Sequence, residues 1–138
     1  MMKFLSRSDE PARSKAPVEY DSTVTLSSRT IEGVEFTIIR LSFARRMELA
    51  RRVLELSRQM EFQLAGGGID ETIEANILSC EIDRLYLRWG LVAIGGLTID
   101  GMDATADLLA EQGPENLADE IVAAVKAQCG LTENERKN

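Results

Sequence analysis

The sequence predicts an α+β domain, mainly α: an N-terminal β-hairpin, two long antiparallel helices and two shorter C-terminal helices. Three observations lead there. Residues 22–41 alternate apolar and polar side chains with β-branched enrichment. Two long stretches then repeat apolar residues at three- and four-residue steps. Glycine clusters separate these stretches and punctuate the remainder.

In chain order, residues 1–20 mix Ser, Pro, Arg, Lys and Glu and carry too little apolar surface to offset ordering entropy, so they read as a flexible arm. One domain, 21–130, is expected after it, followed by a polar tail, 131–138. Val24 and Leu26 form one arm of the hairpin and Val34, Phe36 and Ile38 the other. Between them Ile31-Glu32-Gly33-Val34 supplies the turn, its glycine free to take positive φ. A lone hairpin is barely stable in water, so one face must pack on helices or on a partner.

Ser42 is placed to cap the first helix, whose apolar stripe is Phe43, Met47, Ala50, Leu54, Ser57, Met60 and Leu64. Gly66-Gly67-Gly68 ends it and allows a reversal. The second helix starts near Asp70 with Glu71 and Glu74 at its positive end. Its expected stripe is Ile73, Ile77, Leu78 or Cys80, Ile82, Leu85, Trp89 and Val92, with a stop at Gly95-Gly96. Leu97 to Met102 reads as a turn or tiny hairpin. A brief helix over 104–111 is expected next, capped by Asp103. Gly113-Pro114 then opens a last helix that buries Leu117, Ile121 and Val125, with Ala124 as a further candidate.

Composition narrows the function classes. Net charge is −7, split as +3 over residues 1–60 and −10 over residues 61–138. An acidic body disfavours nucleic acid and anionic membrane. The split suits a basic partner at one end or head-to-tail contact between copies; plain solubility is the alternative. No window approaches the roughly 18 apolar residues of a membrane span. Met1-Met2-Lys3-Phe4-Leu5 does not make a signal peptide, so Cys80 and Cys129 are expected as reduced core thiols in a cytoplasm.

Catalytic signatures are missing. The chain has no histidine, which removes Ser-His and Cys-His nucleophile systems and the commonest nitrogen metal ligand. Two cysteines so far apart make no structural zinc site. Glu81 and Asp83, two apart on a helix, diverge; Asp100, Asp103, Asp107 and Glu111 miss the calcium-loop pattern. The glycine clusters lack the residues of a phosphate loop and read as helix stops. No catalytic residue, metal or cofactor is therefore expected. Binding candidates remain. Arg45, Arg46 and Arg52 belong to a basic helix face, Arg88 lies on the second helix, and Tyr86 and Leu87 sit partly off its stripe as an apolar patch open to a partner. The competing reading makes Tyr86 and Leu87 a second core face.

Three segments carry a family resemblance. They are Thr30-Ile31-Glu32-Gly33-Val34-Glu35-Phe36, Leu41-Ser42-Phe43-Ala44-Arg45-Arg46, and Glu81-Ile82-Asp83-Arg84-Leu85-Tyr86-Leu87-Arg88-Trp89-Gly90-Leu91. With the closing Cys129 to Asn138, they resemble small proteins from the tail modules of long-tailed bacteriophages and prophages, the tail assembly chaperones. The resemblance covers about residues 22–138. It implies a non-catalytic role in the host bacterial cytoplasm: binding the unassembled tape measure protein, shielding its apolar helices and helping to recruit tail tube protein. It also implies absence from the finished tail and, in some phages, an extended form made by frameshifting. Two rival readings are a structural head–tail or tail component retained in the virion and a small host-directed regulator.

Overall fold

The computed structural model describes residues 16–130. The polar tail, 131–138, and most of the N-terminal arm lie outside the described residues; Ala16 to Tyr20 are exposed and without regular structure. The fold is α+β and mainly α, with an N-terminal antiparallel strand hairpin. Strands β1 (Thr23–Ser27) and β2 (Glu35–Ile39) form that hairpin, with Val24 opposite Ile38 and Leu26 opposite Phe36. Gly33, at φ 88°, makes the turn in the conformation the sequence asks of it.

Helices α1 (Phe43–Gly66) and α2 (Ile69–Gly90) follow. Ser42 caps α1, its side chain accepting from the Arg45 N–H at 3.3 Å. Gly67, at φ 76°, closes it in the left-handed conformation, so the triglycine is the reversal expected.

The second helix does not run on to Gly95-Gly96. It ends at Gly90, and Leu91–Gly95 is a strand, β3, pairing antiparallel with β2 to give the order β1-β2-β3. Leu91-Val92-Ala93-Ile94 is apolar enough to continue a helix, and only its β-branched content speaks for a strand. Pairing with β2 decides it, because a two-stranded hairpin gains a third strand and a stable sheet.

Beyond it β4 (Thr98–Ile99) and β5 (Met102–Asp103) make the tiny hairpin, turning through Asp100 at φ 51° and Gly101 at φ 81°. Asp103 is therefore a strand residue. The cap of α3 (Ala106–Gln112) is Thr105, whose hydroxyl accepts from the Leu108 N–H at 3.1 Å. Pro114 stands just before α4 (Glu115–Gln128), as its cap residue.

The core lies where β2, the second half of α2, α3 and α4 meet. Its most enclosed side chains are Phe36, Ile38, Leu109, Leu117, Ile121 and Val125. All three residues expected to anchor the last helix are fully enclosed. Glu120, on α4, ties the helix to the β1–β2 loop: Ser28 Oγ donates to one carboxylate oxygen and the Arg29 N–H to the other, each at 2.7 Å. Partial burial pushes that carboxyl up, but these bonds and those from Thr30 together outweigh it and hold its pKa below the usual value.

The first helix packs differently from expectation. Leu49 is its one buried residue among those described, and Val53, Leu56 and Met60 are half-buried beside it. That second stripe, at steps of four, three and four, is the one turned inward. Most of the expected core stripe faces outward instead: Phe43 is 90 % exposed and Met47, Leu54 and Leu64 about half exposed, whereas Met60, also expected inside, does turn inward. On α2 the expectation is half right. Leu78 is buried and Ile82, Leu85 and Trp89 partly so, whereas Ile73, Ile77 and Val92 are exposed. Cys80 is exposed as well, and only Cys129 is a core thiol. The reason is coverage: α3 and α4 pack on the second half of α2, and α1 rests chiefly on α2 alone.

Candidate protein-binding surface

The exposed apolar side chains of the two long helices make the candidate surface. Phe43, Met47 and Leu54 recur at spacings of four and seven along α1, which places them on one face. Ile69, Ile73 and Ile77 recur at spacings of four along the first half of α2. Apolar groups this concentrated and this open mark an interaction face more often than a bare monomer surface.

The α1 stripe continues into a groove. Leu41, Leu49, Ala50, Val53 and Leu54 form one wall, and Tyr86 and Cys129 stand behind it. The space is about 310 Å³, and Arg46 sits at its edge as the only charged lining residue. An apolar helix lays such side chains into such grooves at i, i+3, i+4 and i+7 spacing.

Of the residues singled out from sequence, Arg46 is the one that meets this groove as an exposed side chain. Arg45 is half-buried and structural; its guanidinium donates to the Arg40 carbonyl at 3.1 Å and pins the end of β2 to the start of α1. Tyr86 and Leu87 are each only 3 % exposed, so the exposed patch expected of them does not exist. They belong to the core: Tyr86 stands behind the α1 wall of the groove and under Lys126 of α4, and Leu87 meets α3 and α4. The Lys126 ammonium lies over the Tyr86 ring, 5.1 Å from its centre.

Arg52 and Arg88 do come together, across the opposite side of the α1–α2 hairpin. With Arg84, Glu81 and the apolar Leu56, Leu85 and Trp89 they line a cleft of about 570 Å³. Its arginines are matched within the chain. Arg52 pairs with Glu48 at 2.9 Å, Arg88 with Asp107 at 2.7 Å and Arg84 with Glu111. Two of these three partners, Asp107 and Glu111, come from α3. Each pair is half exposed and of small energy, about 0–1 kcal/mol. This cleft is larger than the apolar groove, but its three arginines are already paired within the chain, so they have less to offer a partner.

Among the described residues no three of His, Cys, Asp or Glu converge as a metal set, and no helix is long and apolar enough to cross a membrane. The two thiols differ in chemistry. Burial pushes the Cys129 thiol up, against a smaller opposing pull from Arg46. Alkylation of the folded protein is therefore expected to label Cys80 alone, with Cys129 reacting only in denaturant. Equal labelling rates on intact-mass analysis would contradict the buried placement of Cys129.

No family model, curated protein or solved structure matches the chain.

Proposed function

We propose that the chain is a non-catalytic tail assembly chaperone of a long-tailed phage or prophage, which binds apolar helical segments of the tape measure protein and assists tail tube assembly. The observation that supports this reading is the outward apolar stripe of α1 running into the groove backed by Tyr86 and Cys129. A protein that shields aggregation-prone helices needs an open apolar seat on a charged, soluble body. The family resemblance supplies the identity of the partner.

The test is co-expression with the tape measure protein encoded nearby. The partner is expected to become soluble and to copurify. Exchange of Met47 and Leu54 for Asp is expected to abolish capture while the helix content stays unchanged, since both side chains are about half exposed in the free chain. A tape measure protein that stays equally insoluble with and without this chain overturns the proposal.

A further inference from the structure

A cavity of about 260 Å³ opens between α2, α3 and α4. Its apolar lining is buried Leu87 and Val122 with half-buried Ala110 and Ala118. Carboxylates border it: Asp83 on α2, and Glu115 and Asp119 on α4. Asp83 is held by Lys126 at 3.0 Å, and Arg84, the one cation of the lining, is held by Glu111. Glu115 and Asp119 are exposed, four residues apart, and neither forms an ion pair with another described residue. The opening thus presents two unmatched negative charges over an apolar seat. The α1 groove is bordered instead by Arg46, and the Trp89 cleft by three arginines. Of these three cavities, charge directs a basic and apolar segment to this one.

The chain itself carries such a segment. Residues 1–15, outside the described residues, hold Lys3, Arg7, Arg13 and Lys15 against Asp9 and Glu10. Within Lys3-Phe4-Leu5-Ser6-Arg7 two large apolar side chains stand between two cations, with no acid. From Ala16 back to Phe4 is twelve residues, an extended reach of about 40 Å, against about 36 Å for the whole 24-residue length of α1. The tether is long enough to cross the molecule.

We propose that the segment Lys3–Arg7 docks in this cavity of its own chain, Phe4 seated against Leu87 and Val122 while Lys3 and Arg7 lie over Glu115 and Asp119. The tether keeps the segment at high local concentration, so a contact made by few side chains suffices. One apolar anchor and two exposed ion pairs make a light cover, released by salt or by a competing segment of the same chemistry. The seat is separate from the α1 face, and the inference does not rest on the chaperone reading.

Exposed Cys80, in the lining of the cavity, is the reporter. The full chain carrying Ser6→Cys is equilibrated in glutathione buffer, and the internal disulfide between the introduced thiol and Cys80 is measured as an effective concentration. That value is expected to fall about tenfold with Phe4→Ser, with Lys3→Glu and Arg7→Glu together, or with Glu115→Lys and Asp119→Lys together. Combining the two charge reversals is expected to restore it, because the facing charges are again opposite. Circular dichroism establishes that each variant keeps its helices. If the α4 reversal unfolds the chain, Phe4→Ser and the arm reversal carry the test. An internal disulfide indifferent to the substitutions overturns the proposal, as does a folded double reversal that fails to regain it. So does a disulfide that forms only between chains, which places the segment on another copy. Any of these results with tape measure capture intact overturns this inference alone.

Discussion

Phe36→Ala is expected to cost about 3–5 kcal/mol, whereas Phe43→Ala, seven residues on, is expected to change stability by less than about 0.5 kcal/mol. Phe36 is 2 % exposed in the central strand, with Leu26 opposite on β1, Ile94 opposite on β3, and the sheet covered by α4. Removing its ring leaves a cavity that packed neighbours cannot fill. Phe43 is 90 % exposed, and its truncation empties nothing. Equilibrium urea unfolding measures both. The loss at Phe36 is a large part of the 5–15 kcal/mol that holds a domain of this size together, so the variant would sit near its unfolding threshold at physiological temperature. Equal losses at the two positions would mean that the α1 stripe is packed after all, and the candidate surface would go with it.

Gly90→Val is expected to cost about 3 kcal/mol or more. Gly90 is buried at the end of α2, where a Cβ would stand 2.6 and 2.7 Å from the two methyl carbons of Val125 on α4. Its φ is not in the left-handed region, so conformational freedom is not the reason for glycine. Proximity to α4 is. Gly90→Ala separates two opposed effects. Helix propensity favours Ala by up to about 1 kcal/mol, while overpacking against Val125 costs about 1–3 kcal/mol. The clash is with a short, branched, fully enclosed side chain that has no room to swing away. A net loss follows, and Val125→Ala in the same chain should recover part of it, as coupled neighbours do. An alanine variant as stable as the parent would show that α2 and α4 are further apart here than the structure places them.

Much of the architecture could be read from residue patterns because local chemistry and tertiary packing agree. Ser42, the triglycine, Gly33 and Leu117-Ile121-Val125 each announce one structural role and perform it. The strand at Leu91–Gly95 could not be read the same way. Four apolar residues after a helix continue either element, and what settles them is β2, some fifty positions away. The phase of α1 failed for a different reason. That helix carries two apolar stripes, Phe43–Met47–Ala50–Leu54 and Leu49–Val53–Leu56–Met60, both correctly spaced, and the expected stripe drifted from the first onto the second at Met60. Periodicity finds stripes and does not say which one meets a neighbour. The same ambiguity exchanged the roles of Tyr86 and Leu87 with Phe43 and Met47: the expected surface is core and the expected core is surface. Arg52 and Arg88 share a cleft because α1 and α2 are antiparallel, but their neutralisation by Glu48 and Asp107 depends in part on where α3 lands.

The junction at Gly90 has a mechanical meaning. Helix α2 passes into β3 with no intervening loop, and α1 is held mainly through α2. The long hairpin is thus a cantilever, clamped where α2 meets α4 and the sheet, and unsupported toward the triglycine tip. Bending at the clamp moves β3 directly, because no slack chain absorbs the displacement. A load taken up along the stripes of α1 and α2 would reach the central sheet as strain between β3 and β2, beside the irregular register between Thr37 and Ile38.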